Sequence, residues 1–257
     1  MPPRRFSVSR LIAFAGSAAL VAYALERARG NAWWLVVPAL AALALVLVLV
    51  LRAVGKRRVR RMLVEGRAEE LLELWHDSLA SMPHADTTVP LLHATALAAT
   101  GFVERARAAL GHAARGAAWP AAYEHRLLVE TLLDAFEGER GAALEKAEEL
   151  RNLPLPAVAE ELKGRVALLR EAVGAVARAF AHQPEERDAH LLWEAARRNA
   201  LIHWPLRYAA AVVCIDAGRR AEARELLSNA PSWPAESAFH AFHEELTAYA
   251  REPSVVE

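Results

Sequence analysis

Two apolar blocks open the chain, and beyond them apolar and polar positions recur at a helical period. The first block, Leu11 to Leu25, has fifteen residues; the second, Ala32 to Leu51, has twenty without a charge. As a helix the second is about 30 Å long, the thickness of a bilayer's hydrocarbon core. After Arg61 no stretch alternates at period two for long enough to make a strand, and Pro and Gly fall between the periodic segments. This punctuation predicts helices over 68–82, 88–100, 103–116, 121–137, 140–152, 157–170, 172–183, 186–200, 205–217, 220–229 and 235–251. The helix of the second block is expected to run on to about Glu65. The expected fold class is all-α.

Flanking charge sets a topology for the two blocks. Arg52, Lys56, Arg57, Arg58, Arg60 and Arg61 place six positive charges in ten residues after the second block. Basic residues packed against one end of a span stay on the cytoplasmic side. The first block reaches roughly 20 residues by taking in Phe6 to Ser9 and letting Arg10 snorkel to the interface. Glu26 to Asn31 then form an outer turn, with Trp33 and Trp34 as aromatic anchors at the outer interface. The expected organisation is a two-helix transmembrane hairpin over 1–54, with spans about 8–26 and 32–52, a helical domain over 55–252 and a tail at 253–257. A competing reading makes residues 1–24 a signal peptide cut after Ala22-Tyr23-Ala24; the basic block still holds the rest inside. The second span contains no Asp, Glu, Lys or His, so it reads as an anchor and not as a transport path. The expected location is a bacterial inner membrane, multi-pass, with the C-terminal domain in the cytoplasm.

The overall balance of 31 basic and 31 acidic residues hides a polarity. Residues 1–61 carry eleven basic groups against the single acid Glu26, which leaves twenty basic and thirty acidic groups for the remainder. A basic anchor suits an anionic leaflet, and an acidic domain offers no basic face for nucleic acid. The lone cysteine, Cys214, lies in an apolar run and fits a reducing compartment.

A repeat emerges within the helical part. Gly101 is followed by Ala106, Leu110 and Ala113, Gly138 by Ala143, Ala147 and Leu150, and Gly218 by Ala223, Leu227 and Ala230. Gly66 heads a looser copy with Leu71, Trp75, Ser78 and a terminating Pro83. A fifth copy lacks the glycine but keeps Ala172, Val176, Ala179 and Pro184. Such spacing describes helical hairpins: glycine permits the turn, small residues permit close approach and proline stops the second helix. Hairpins that cannot bury their faces alone stack into a solenoid. The pattern over about residues 56–235 resembles the tetratricopeptide repeat, with the first-helix signature degraded and the spacing slipping from 35 to 37 residues. Helix 186–200 has no evident partner, and 235–251 reads as a terminal cap. The layout of spans, Arg-rich junction and repeats is similar to the HemY N-terminal family, whose members are bacterial inner-membrane proteins linked to haem biosynthesis.

The resemblance to tetratricopeptide domains implies partner binding along first helices, through Thr88, Leu91, Thr95, His125, Leu128, Leu132, Tyr208 and Val212. That groove is apolar and lacks the Lys/Arg/Asn clamp that captures acidic tails, so it favours self-packing or an amphipathic helix. The tightest cluster of possible metal ligands is His240, His243 and Glu244, which share one helix face. It lacks the HExxH order of a metalloprotease. No phosphate loop, nucleophile elbow or paired acidic motif appears, so neither catalysis nor a cofactor is expected. The expected function is a membrane-anchored scaffold or adaptor for a protein partner, with lipid contacted through the hairpin and the oligomeric state open. The alternatives are a HemY-like accessory factor or a membrane-bound metal-dependent enzyme.

Overall fold

The computed structural model describes residues 33–251, and all regular secondary structure among them is helical. The first expected span at 8–26, Arg10, the alternative cleavage site and the tail at 253–257 lie outside the described residues, as do the side chains of Trp33, Trp34, Arg52, Lys56 and Trp75. In chain order the helices are α1 (Trp33–Val64), α2 (Ala68–Ala80), α3 (Ala85–Ala99), α4 (Val103–Ala113), a 3-10 turn (Trp119–Ala122), α5 (Tyr123–Glu137), α6 (Arg140–Asn152), α7 (Glu160–Phe180), α8 (Asp188–Arg198), α9 (His203–Asp216), α10 (Arg220–Leu227) and α11 (Ala238–Arg251). The chain divides into two compact units, residues 1–58 and 59–257, with the boundary inside α1.

In the first unit α1 is a continuous helix whose leucines and valines from Leu43 to Val54 are 43–64 % exposed. Among the described residues no helix is long and apolar enough to cross a membrane; the described side chains of α1 begin only at Ala42. No hairpin is seen in the described part.

The second unit is built from helix pairs closed by one recurring turn. Gly66, Gly101, Gly138 and Gly218 all have φ between 71° and 82°, the left-handed region that costs an L side chain roughly 1–2 kcal/mol. At each, the amide after the glycine bonds back to the helix just ended: Arg67 to the Met62 carbonyl at 2.9 Å, Phe102 to Leu97 at 2.9 Å, Glu139 to Asp134 at 2.8 Å and Arg219 to Cys214 at 2.7 Å. This is the Schellman closure of a helix C-terminus. On the helices that follow, Ala106, Ala143 and Ala223 are completely buried, as the close approach of paired helices requires.

The fifth copy is a correction. The expected helices 157–170 and 172–183 are one helix, α7, because Arg170 and Glu171 contain nothing that breaks a helix and Gly174 has room where it stands. The turn of this pair lies at the far end of α7, where His182 adopts φ 55° and Gln183 N–H bonds the Arg178 carbonyl at 2.9 Å. Helix α8, unpartnered in the sequence reading, is thus the second member of the α7 pair. Its start is held by Asp188, fully buried, which takes two bonds from Arg178 at 2.8 and 2.6 Å and one from the Glu185 amide at 2.9 Å. Helix α10 ends at Leu227, before Ala230, where Asn229 takes a positive φ.

The terminal helix also does more than cover one end. Ser237 Oγ donates to the Thr100 carbonyl at 2.7 Å, and the Ala238 amide bonds the Gly101 carbonyl at 2.9 Å. Phe239 is buried edge-on to Phe136, Tyr208 and Trp233, with ring centroids 5.0–5.3 Å away. Trp233 Nε1 donates to the Tyr208 hydroxyl at 2.6 Å, and Trp204 Nε1 donates to the Val64 carbonyl at 2.7 Å. The last segment therefore closes back on the first turns, an arrangement that local spacing does not contain.

Candidate functional site

The expected groove along first helices is mostly filled. Leu91, Leu132, Tyr208 and Val212 are buried core residues, none more than 6 % exposed. The reason is tertiary: α3 packs on α5 and on α9, and α5 and α9 both pack on α7, so their shared faces meet each other and not solvent. Thr88 is half-buried, its hydroxyl bonded to the Pro83 carbonyl at 3.3 Å. Thr95, His125 and Leu128 line a cleft, although Thr95 and Leu128 are themselves buried.

Those three share a cleft of about 440 Å³. Thr95 enters from α3, His125, Leu128 and Glu124 from α5, and Leu169 from α7. Ala121 and Ala122 of the 3-10 turn form one lip, and Asn199, Leu201 and Ile202 between α8 and α9 form the other. The second lip was not legible, because those three residues sit in a connection whose position depends on the α7–α8 pairing. The cleft is largely apolar, with Asn199 on its lip and a few polar groups whose partners are settled. Thr95 Oγ1 donates to the Leu91 carbonyl at 2.7 Å and lies 2.8 Å from His125 Nε2. Burial pushes the His125 pKa below its ordinary value, which favours the neutral ring. Glu124 Oε1 accepts from Arg170 at 3.0 Å, and Arg170 also donates to the carbonyls of Leu153 and Pro154 at 2.6 and 3.1 Å. The Glu124 charge is thereby balanced at the rim, and the connection into α7 is tied down.

A second depression, about 270 Å³, is lined by Arg151, Arg170, Arg178 and Arg187, all of which are paired. Arg151 meets Glu148, Arg178 meets Asp188, and Arg187 meets Glu185 at 3.2 Å. Its charges are internally compensated, which leaves no open cationic cradle.

The His240, His243 and Glu244 group is not gathered as a ligand set. His240 Nε2 lies 3.9 Å from Glu244 Oε1 on the exposed side, whereas His243 turns inward against the Tyr208 ring. Its Nδ1 is buried without a partner among the described residues, and burial lowers its pKa. Among the described residues no three His, Cys, Asp or Glu side chains converge on a common point. Cys214 is buried, and burial raises its thiol pKa, so thiolate formation is disfavoured.

Of the expected interface cations with described side chains, Arg57 and Arg58 are exposed in the first unit. In the second, Arg60 Nη2 donates to the Arg197 carbonyl at 3.3 Å, and Arg61 pairs with Glu65 at 2.9 Å, one turn on. The α8 C-terminus thus receives a cation where its partial negative charge lies.

One further surface stands out. Along α7, Val173 and Val176 are fully buried, but the same stripe continued backwards through Leu169 and Val166 is only half-buried, and Leu162 is 46 % exposed. Leu155 and Val158, before the helix, are exposed as well. The first turns of α7 thus carry an apolar stripe that runs from the half-buried Leu169 at the cleft to the exposed Leu162. No family model, curated protein or solved structure matches this chain.

Proposed function

We propose that the protein is a membrane-anchored scaffold whose helical-repeat domain, tetratricopeptide-like in its hairpin spacing, holds a protein partner at the cytoplasmic face of a bacterial inner membrane. The observation that carries the reading is the α7 stripe, exposed at Leu162 and half-buried at Val166 and Leu169, with the exposed Leu155 and Val158 beside it. A partly exposed apolar stripe at helical spacing takes the apolar face of another helix. The anchor half rests on α1, whose apolar side chains stand free on a continuous helix that ends in Arg57, Arg58, Arg60 and Arg61. Exposed apolar surface of that kind is costly in water and favourable in lipid.

The test places a photo-crosslinking residue at Leu162 in the full-length chain within native membranes. A discrete protein adduct is expected, lost on Val158→Glu while the thermal transition stays in place. No adduct, or one that survives Val158→Glu, argues against docking here. Protease applied outside intact spheroplasts is expected to spare the repeat domain; cleavage there would reverse the topology.

A further inference from the structure

The direction of the hydrogen bonds inside the cleft defines what it accepts. The Thr95 hydroxyl has one hydrogen, and that hydrogen is committed to the Leu91 carbonyl one turn back on α3. Facing His125 Nε2 at 2.8 Å, the Thr95 oxygen is therefore the acceptor, and Nε2 carries the ring's hydrogen. A neutral imidazole then presents a bare lone pair at Nδ1. That lone pair has no hydrogen-bond partner among the described residues, which leaves it for an incoming donor.

Charge narrows the choice further. Glu124 and Arg170 neutralise each other at the rim, and the guanidinium also donates to the Leu153 and Pro154 carbonyls. An anion finds no free cation here. The walls, Leu128, Leu169, Leu201 and Ile202 with the small Ala121 and Ala122, offer apolar contact, and Asn199 at the second lip adds one neutral amide. At about 440 Å³ the cleft falls within the range of small-molecule sites.

We propose that this cleft binds a small uncharged molecule with an apolar body and a single O–H or N–H donor, seated with that donor on His125 Nδ1. The site is formed wholly by residues between Thr95 and Ile202 and shares Leu169 with the α7 stripe, but neither Val158 nor Leu162, on which the docking test acts, lines it. The inference therefore stands or falls separately from the scaffold reading.

The experiment uses full-length protein in nanodiscs and three probes of similar shape, read by calorimetry against empty nanodiscs. These are para-propylphenol, its methyl ether para-propylanisole, which has lost the donor, and para-propylbenzoate, which adds a charge. The phenol should bind saturably and about fivefold more tightly than the ether, the worth of one neutral hydrogen bond. The benzoate should bind more weakly than either. Ala122→Trp, which fills the mouth, should abolish saturable binding. Thr95→Val keeps the shape of the wall but releases the Nε2 hydrogen from its acceptor, so the tautomer is no longer enforced and the phenol's advantage should shrink. If the phenol and ether bind alike, or if none of the probes saturates, the proposal is overturned. It is equally overturned if the phenol's advantage persists undiminished in Thr95→Val, or if histidine nitrogen NMR places the His125 hydrogen on Nδ1.

Discussion

Helices α1 and α9 are both apolar around most of their circumference, and their fates are opposite. From Trp204 to Cys214, α9 is buried at every position except Arg207, because α7, α8, α10 and α11 enclose it. In α1, the leucines and valines from Leu43 to Leu51 project 43–64 % of their surface. An apolar run therefore does not say what covers it. Length and flanking charge make the distinction: α9 has fourteen residues and sits between turns, whereas α1 has thirty-two and ends in a cluster of cations.

The largest effect that separates the two is expected at Tyr208. Tyr208→Ala removes a fully buried ring and the acceptor for Trp233 Nε1, and should cost about 4 kcal/mol in urea unfolding of the full chain. Leu47→Ala in α1 should leave that transition within about 0.5 kcal/mol. A comparable loss from both substitutions would erase the distinction.

Asp188→Asn comes next. It leaves the Arg178 guanidinium facing a neutral amide in a buried place, where Asp188 now holds the guanidinium pKa above its ordinary value. About 3 kcal/mol should be lost by the same measurement, since removing one member of a buried pair strands the other. In α1, Leu47→Arg should spare the unfolding transition but shift the chain out of the membrane fraction, by about 3 kcal/mol of insertion free energy. Retention of Leu47→Arg in membranes would remove the anchor.

Two glycines with the same backbone sharpen the account of the turns. Gly138 has open space where a Cβ would stand, so Gly138→Ala should cost only the left-handed penalty, about 1 kcal/mol. A Cβ on Gly101 would lie 2.6 Å from Ser237 Oγ and 2.8 Å from the Phe239 ring, so the α11 docking must shift as well. The Gly101→Ala loss should exceed that of Gly138→Ala; equal losses would mean that the closure by α11 is weak.

The smallest expected effect is on pH. Burial depresses the pKa of His125, His203 and His243, so below about pH 6.5 the unfolded chain binds more protons than the native one. Stability is then present in full above that pH and falls as the pH drops through the window beneath it. The urea midpoint should decrease between about pH 7.5 and about pH 5.5, and His125→Gln should reduce the slope.

Much of this was legible in the residues. All four turn glycines are where the repeat spacing places them, because a helix that must reverse in two residues needs a left-handed position that glycine fills without strain. The α7 pair was misread because its turn uses His182, whose left-handed backbone leaves no mark in composition. The site residues divide in the same way. Thr95, His125 and Leu128 follow from their place on first helices, but their place on the wall of a cleft does not, since Leu91 and Leu132 occupy equivalent places and do not line it.

Helix content, the positions of the four glycine turns, the apolar run of α1 and the charge beside it were determined by local sequence alone, since backbone conformation and solvent preference act over a few residues. Only the tertiary structure decided which apolar faces are covered. The docking of Phe239 against the Gly101 turn and the seating of Leu201 opposite His125 join residues far apart in the chain, and no local pattern encodes that contact.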